Sequence, residues 1–423
     1  MDWRRYANWP YQEGNGIWFL IIIMKDKKYL PAVIIMYLNY FIHGIGCSIL
    51  GQATIKESLA ASWGCQAMAI TRISAALGLG RLIALPFAGP LSDRLGRKFS
   101  MIIGGFSYCI YLVGLALALR VGVNGGYMIA YACAVVGGIA NSFLDTGIYP
   151  AVTEAVSEKP GVATMGIKFF ISMSQMALPF LLSWLSDKYD GNVQYNKMFI
   201  ICGVSYAILA ILIYFCPLPE TSGKKPGKSR LLTSIKETHF SKESIAMIVI
   251  GFTCTGTFQL WLNCAQNYAK DVALWSDPRL MQTYYSIGTV LALIVTSILT
   301  RRIKDVRFIV VYPFICLVTL ILVLIFPNQT MCSIGAFLIG WAGAGGLLQI
   351  VTSVCNMIFP KIKGTVTALV MIASSLCNYT LLTAAGGMSA KGVMIMNVVL
   401  TSIGLLLGLY VNLRYQNLLT HNN

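Results

Sequence analysis

Charge is scarce in this chain. Asp, Glu, Lys and Arg make up 11% of its 423 residues, where a soluble domain carries about 25%. That is too little to cover a water-facing surface, so a soluble globular protein is excluded. Only three histidines occur, and the chain contains no H-E-x-x-H, no G-x-S-x-G and no Walker A sequence. These absences argue against a zinc protease, a serine hydrolase and an ATP-driven pump. Of the 12 cysteines none forms a C-x-x-C pair. Cys47, Cys109, Cys133, Cys202, Cys254 and Cys377 stand singly in apolar runs, as small packing residues do. Neither a disulfide framework nor a metal centre is expected, and no cofactor or catalytic residue is indicated.

Apolar length is what the chain has in abundance. It is 57% hydrophobic with a mean hydropathy of +0.69. A membrane-crossing helix needs about 20 apolar residues. Such runs recur near 29–52, 66–88, 99–119, 125–150, 161–185, 196–216, 244–266, 281–300, 307–326, 331–355, 364–386 and 392–412. They are continuous, whereas the strands of a transmembrane β-barrel alternate. The expected fold is therefore all-α: a polytopic membrane protein with 12 transmembrane helices. The net charge of +16 would suit nucleic acid, but its distribution reports topology instead. With both termini cytoplasmic, 22 of the 32 Lys and Arg fall on the cytoplasmic side, seven outside and three within spans. That is the positive-inside asymmetry, and it predicts a multi-pass protein of the cytoplasmic membrane with no nucleic-acid partner.

The longest hydrophilic stretch, Pro217 to Glu243, has six spans on either side. The predicted organisation is a cytoplasmic tail (1–28), a six-helix bundle (29–216), a cytoplasmic linker (217–243), a second six-helix bundle (244–412) and a cytoplasmic tail (413–423). Paired halves of this kind hold their solute near the midplane. Weak internal similarity supports a duplication: Val136-Gly137-Gly138-Ile139-Ala140 aligns with Ile339-Gly340-Trp341-Ala342-Gly343. Within the first tail, Ile17 to Met24 is too short to span and lacks a cleavage site after it. Met24-Lys25-Asp26-Lys27-Lys28 reads as a natural start. Asn328-Gln329-Thr330 is a glycosylation sequon that is expected to be unused.

The densest signal is Gly89-Pro90-Leu91-Ser92-Asp93-Arg94-Leu95-Gly96-Arg97-Lys98, a basic loop between two apolar runs. Written G-x-L-x-D-R-x-G-R-K, it closely resembles the helix 2–3 loop signature of the major facilitator superfamily. The resemblance implies a solute transporter of two pseudo-symmetric six-helix halves, monomeric and working by alternating access. It implies that Asp93 helps to hold the halves together on the cytoplasmic side. It also implies that Arg97 pairs with an acid at the end of the fourth span, where Glu154 is placed. Gly89, Asp93, Arg94, Gly96, Arg97 and Glu154 form the expected gating motif. Gly89 and Gly96 permit backbone shapes that other residues resist, and Asp93 and Arg97 share a face if the segment is helical. A purely topogenic basic loop is the competing reading.

Ionisable residues inside spans are costly and mark function. Here they are His43, Arg72, Arg81, Asp145 and Lys168. Arg72, near the outer end of its span, is expected to reach the headgroups. Arg81, Asp145 and Lys168 lie at similar depths, and a buried charge needs a partner, so Asp145 should pair with Arg81 or Lys168. The cluster either fastens the first bundle or binds solute, one cation holding a carboxylate while Asp145 takes up a proton. Asn39 and His43 share a helical face, and the resemblance places spans 1, 4, 7 and 10 around the central cavity. Both are therefore candidates for solute contact or proton transfer. Gln259, Gln349 and Asn141 are the preferred amide contacts, with Trp261, Asn263, Gln266 and Asn267 close by in sequence. Interhelical hydrogen bonding is the alternative for all of these.

Asn141 to Glu154, with Leu38 to Gly44, Gly80-Arg81-Leu82 and Gly166-Ile167-Lys168, resembles a bacterial subgroup of inner-membrane permeases. Some members are associated with quinate and shikimate metabolism. The resemblance implies a hydroxylated carboxylate as solute, with a sugar as the other candidate, taken up with protons. Partners are then a small molecule, protons and membrane lipid. A drug–proton antiporter is the nearest competitor, but its G-x-x-x-G-P-x-x-G-G pattern is missing between Gly161 and Leu185. A non-transporting sensor would need a soluble signalling domain.

Overall fold

A computed structural model describes residues 27–157, 160–188, 195–219, 242–300, 302–358 and 363–422. The expected start at Met24 and most of the predicted linker lie outside these residues. The described elements are helices: α1 (Leu30–Ser48), α2 (Ala53–Trp63), α3 (Thr71–Leu95), α4 (Arg97–Val121), α5 (Gly126–Ala155), α6 (Pro160–Lys188) and α7 (Tyr195–Phe215). After the linker come α8 (Lys242–Asp271), α9 (Met281–Leu299), α10 (Asp305–Ile325), α11 (Gln329–Ile339), α12 (Leu347–Ile358), α13 (Lys363–Ala385) and α14 (Ala390–Asn422). Among the described residues, 12 segments are long and apolar enough to cross a membrane, α11 and α12 together making one of them. The chain is a multi-pass membrane protein.

Each half has its own core. One is built from residues of α1 to α7, the other mainly from α8 to α14. With lipid as apolar as leucine, helices associate by close backbone packing, and glycine supplies it. A methyl on Gly80 of α3 would overlap the Val135 carbonyl of α5, and one on Gly138 would overlap the Leu77 carbonyl. The second half repeats this crossing. A methyl on Gly288 of α9 would overlap the Phe337 carbonyl, and one on Gly340 the Tyr285 carbonyl. The two halves are thus pseudo-symmetric. The crossing equates Gly138 with Gly340, one residue away from the sequence alignment that pairs Gly137 with Gly340.

Four local features depart from the sequence reading. The signature segment is not a loop: α3 stays helical to Leu95 and α4 starts at Arg97. The chain turns on Gly96 alone, at φ +96°, a backbone shape that favours glycine. Gly89 sits inside the helix with nothing near its α-carbon. The tenth span is broken. A π-helical turn at Gly340–Ala344 and Gly346 at φ +129° separate α11 from α12. Four glycines between Gly340 and Gly346 make this stretch a poor helix former, and such breaks mark functional regions. The segment between the first two spans contains α2, bounded by extended Gln52 and by Gly64 at φ +65°. Finally, α14 runs through most of the expected tail 413–423, because no Gly or Pro follows Gly408 to stop it.

Candidate functional site

Asp145 anchors a polar cluster inside the first half. Arg81 Nη2 of α3 lies 2.6 Å from its Oδ2, and the Tyr40 hydroxyl of α1 donates to its Oδ1 at 2.5 Å. Tyr149 is one helical turn beyond Asp145, so it shares that face, and its ring meets Tyr40 edge-on at 5.5 Å. Lys168 of α6 lies near enough to the Tyr149 hydroxyl to act on it electrostatically. Of the two cations expected to pair with Asp145, Arg81 does so, and Lys168 lies near Tyr149. The cluster therefore carries one positive charge more than negative. Arg81 and Asp145 are 26% and 27% exposed, so the pair is partly open rather than sealed in the bundle core.

His43 lies beside this cluster, edge-on to Tyr40 and to Tyr108 of α4, both at 5.5 Å. Its Nδ1 is buried without a hydrogen-bond partner. Asn39, predicted to act with it, is only 6% exposed. It bonds back to the Ile35 carbonyl of its own helix, and its own carbonyl accepts the Tyr206 hydroxyl of α7. It braces α1 against α7 and does not join the cluster. Asn141 is one turn before Asp145 on the same face, with its Oδ1 buried and unpartnered. Gln259 of α8 accepts from Asn263 Nδ2 at 3.2 Å. Gln349 is exposed on α12, whose opposite face buries Leu347, Ile350, Val351 and Val354. A polar face on a spanning helix fits a water-filled crevice better than lipid.

At the signature junction Arg97 gathers three partners. Nη1 reaches Asp93 Oδ1 at 2.6 Å and Ser92 Oγ at 3.1 Å, and Nη2 reaches Glu154 Oε1 at 3.5 Å. Asp93 is 56% exposed and bonded within its own half. Arg94 is exposed in the last turn of α3, where a cation complements the helix dipole.

The other end of the molecule is closed. Gln266 Nε2 of α8 donates to Gln52 Oε1 at 3.1 Å, and Gln266 Oε1 accepts the Ala53 N–H at 3.0 Å. Lys270 Nζ meets Glu57 at 2.6 Å. The Thr283 hydroxyl of α9 donates to the Met176 carbonyl of α6. Arg72 is exposed at this end, its side chain running past Gly386 and Gly387 just beyond α13. Lys56 is 0% exposed. Its ammonium donates to Thr71 Oγ1 at 2.8 Å, Asn267 Oδ1 at 3.2 Å and the Asn263 carbonyl, and burial pushes its pKa down. Asn263, Gln266 and Asn267 of α8, which follow the solute candidate Gln259 in sequence, thus serve this seal. Lys56 itself carried no sequence signal, since a lysine between two apolar runs is ordinary. Tyr149 had one: its four-residue spacing from Asp145.

Among the described residues no cluster of His, Cys, Asp and Glu is arranged to hold a metal ion. The profile of the Major Facilitator Superfamily matches residues 36–378. An uncharacterized MFS-type transporter of Bacillus subtilis, YfkL, is 33% identical over 88% of this chain and 91% of its own length. The inner membrane transport protein YdiM of Escherichia coli is 30% identical over 95% and 98%. Among solved structures, a D-xylose-proton symporter matches with a TM-score of 0.71 at 14% identity, over 90% of this chain and 96% of that one. The nucleoside transporter NupG matches at 0.69 and 11% identity, over 90% and 99%. With its twelve spans, its repeated crossing and these matches, the chain belongs to the Major Facilitator Superfamily of solute transporters.

Proposed function

We propose that this chain takes up a small polar organic solute across the cytoplasmic membrane by alternating access, coupled to protons through Asp145. The observation that carries the reading is a partly exposed carboxylate inside the first bundle, paired with Arg81 and bonded by Tyr40, with a second cation, Lys168, near the same cluster. Protonation of Asp145 cancels its hold on Arg81. Deprotonation on the other side restores it, so the proton and the fit of the site change together. The surplus cation favours an acid as cargo. A hydroxylated carboxylate of quinate or shikimate type suits Lys168, with Asn141, Gln259 and Gln349 for the hydroxyls and His43 as a second proton acceptor. A sugar is the second candidate, as in the D-xylose-proton symporter that shares this fold. The signature end and both termini face the cytoplasm, in keeping with the Lys and Arg asymmetry, and relatives named as inner membrane transport proteins favour the same membrane. The carrier acts as a monomer.

Counterflow in proteoliposomes with quinate, shikimate and D-xylose tests the cargo. Asp145→Asn is expected to abolish accumulation driven by a pH gradient while leaving exchange, because the neutral side chain mimics the protonated form. Lys168→Gln should weaken uptake of an acid more than of its methyl ester. If the cluster were only a fastener, stranding one charge would cost about 3–5 kcal/mol, and removing both partners would cure it. Normal pH-driven accumulation by Arg81→Met with Asp145→Asn would refute the coupling.

A further inference from the structure

We infer that α2 is the external gate of this carrier, and that the buried charge of Lys56 is what keeps the gate able to reopen. The inference rests on the alternating-access reading. Two backbone joints let α2 move as a unit: extended Gln52 at its start and left-handed Gly64 at its end. Its face toward the second half is a single stripe, Gln52, Ala53, Lys56 and Glu57, with helical spacing. The facing stripe on α8 is Asn263, Gln266, Asn267 and Lys270, and every member of one stripe bonds to the other. No solute can pass between the halves at this end while the stripes are joined.

Lys56 is the odd member of this zipper. Its three N–H groups meet a hydroxyl, an amide oxygen and a carbonyl, all neutral. The nearby Glu57 carboxylate is taken by Lys270. An ammonium removed from water without a counter-ion is costly, and neutral acceptors only partly offset that cost. The amide pair and the Glu57–Lys270 pair draw α2 onto α8, whereas the charge of Lys56 opposes closure and is relieved when water returns. A carrier needs two states of similar free energy, since a state held too firmly stops the cycle. Lys56 supplies the opposing force at the outer gate.

Paired spin labels in proteoliposomes, on a cysteine-depleted chain without solute, test this directly. Ala61→Cys and Leu274→Cys, both at exposed positions, report the α2 end. Leu95→Cys and Lys304→Cys report the signature end. Both pairs are expected to give near and far populations. Fixed distances in both would overturn alternating access itself. Movement at the signature end alone would overturn only the gate. Lys56→Gln keeps donors for Asn263 and Asn267 but removes the charge. It should shrink the far population at the α2 end by about tenfold, equivalent to about 1.4 kcal/mol. Lys56→Met, a second charge-free variant, should act in the same direction. A far population unchanged or enlarged in both variants would overturn the role of Lys56.

Discussion

Asp93 is held by little. Its ion pair with Arg97 is an exposed i,i+4 contact, a type worth about 0.3–0.5 kcal/mol, and Arg97 keeps Ser92 and Glu154 without it. Asp93→Asn should therefore leave folding and membrane insertion almost unchanged. It should nevertheless slow transport severely, because the resemblance implies that this carboxylate closes the cytoplasmic side in the alternate state. Thermal unfolding in detergent and initial uptake rates measure the two separately, and a well-inserted Asp93→Asn with normal rates would end the gating role. At this scale the sequence was most informative where chemistry contrasted with surroundings. Arg81, Asp145 and Lys168 stand out because charge inside an apolar run is expensive. Asn39 lies apart from the cluster it was expected to join, and Lys56 was missed, for the converse reason. A spanning helix is apolar nearly all round, so periodicity does not say which face meets the crevice, and a lysine between spans has no contrast to betray its burial.

Spans were legible because length and hydropathy alone define them. Interruptions were less so: the break before α12 and the near-continuous α3–α4 junction depend on single glycine conformations, and a glycine in sequence does not declare its φ. Position therefore matters more than residue type when glycines are replaced. Gly138→Ala would force a methyl into the Leu77 carbonyl and the Gly80 α-carbon, so it should destabilise the first half by about 1–3 kcal/mol, as overpacking does. Gly89→Ala meets empty space in a helical segment and should raise stability by about 0.5–1 kcal/mol. Melting temperatures of the two purified variants should move in opposite directions. A Gly138→Ala chain as stable as the parent would mean that the α3–α5 crossing is looser than its geometry implies.

For the whole molecule, the orientation can be read with two labels. An impermeant thiol reagent should reach Leu274→Cys only from outside the cell and Lys304→Cys only from the cytoplasm. Reaction of both from one face would reverse or break the proposed topology. The two halves share a crossing and a plan, yet they differ in one respect that composition makes plain. Apart from residues at span ends, the spans of the second half carry no Asp, Glu, Lys, Arg or His. Membrane voltage does about 2.3 kcal/mol of work per elementary charge per 100 mV, and it can act only on charge that moves through the field. Every fixed charge in mid-membrane belongs to the first bundle, so in the proposed alternating-access cycle the second carries no ionised side chain through the field. Any capacitive current from the empty carrier is the signature of one half alone.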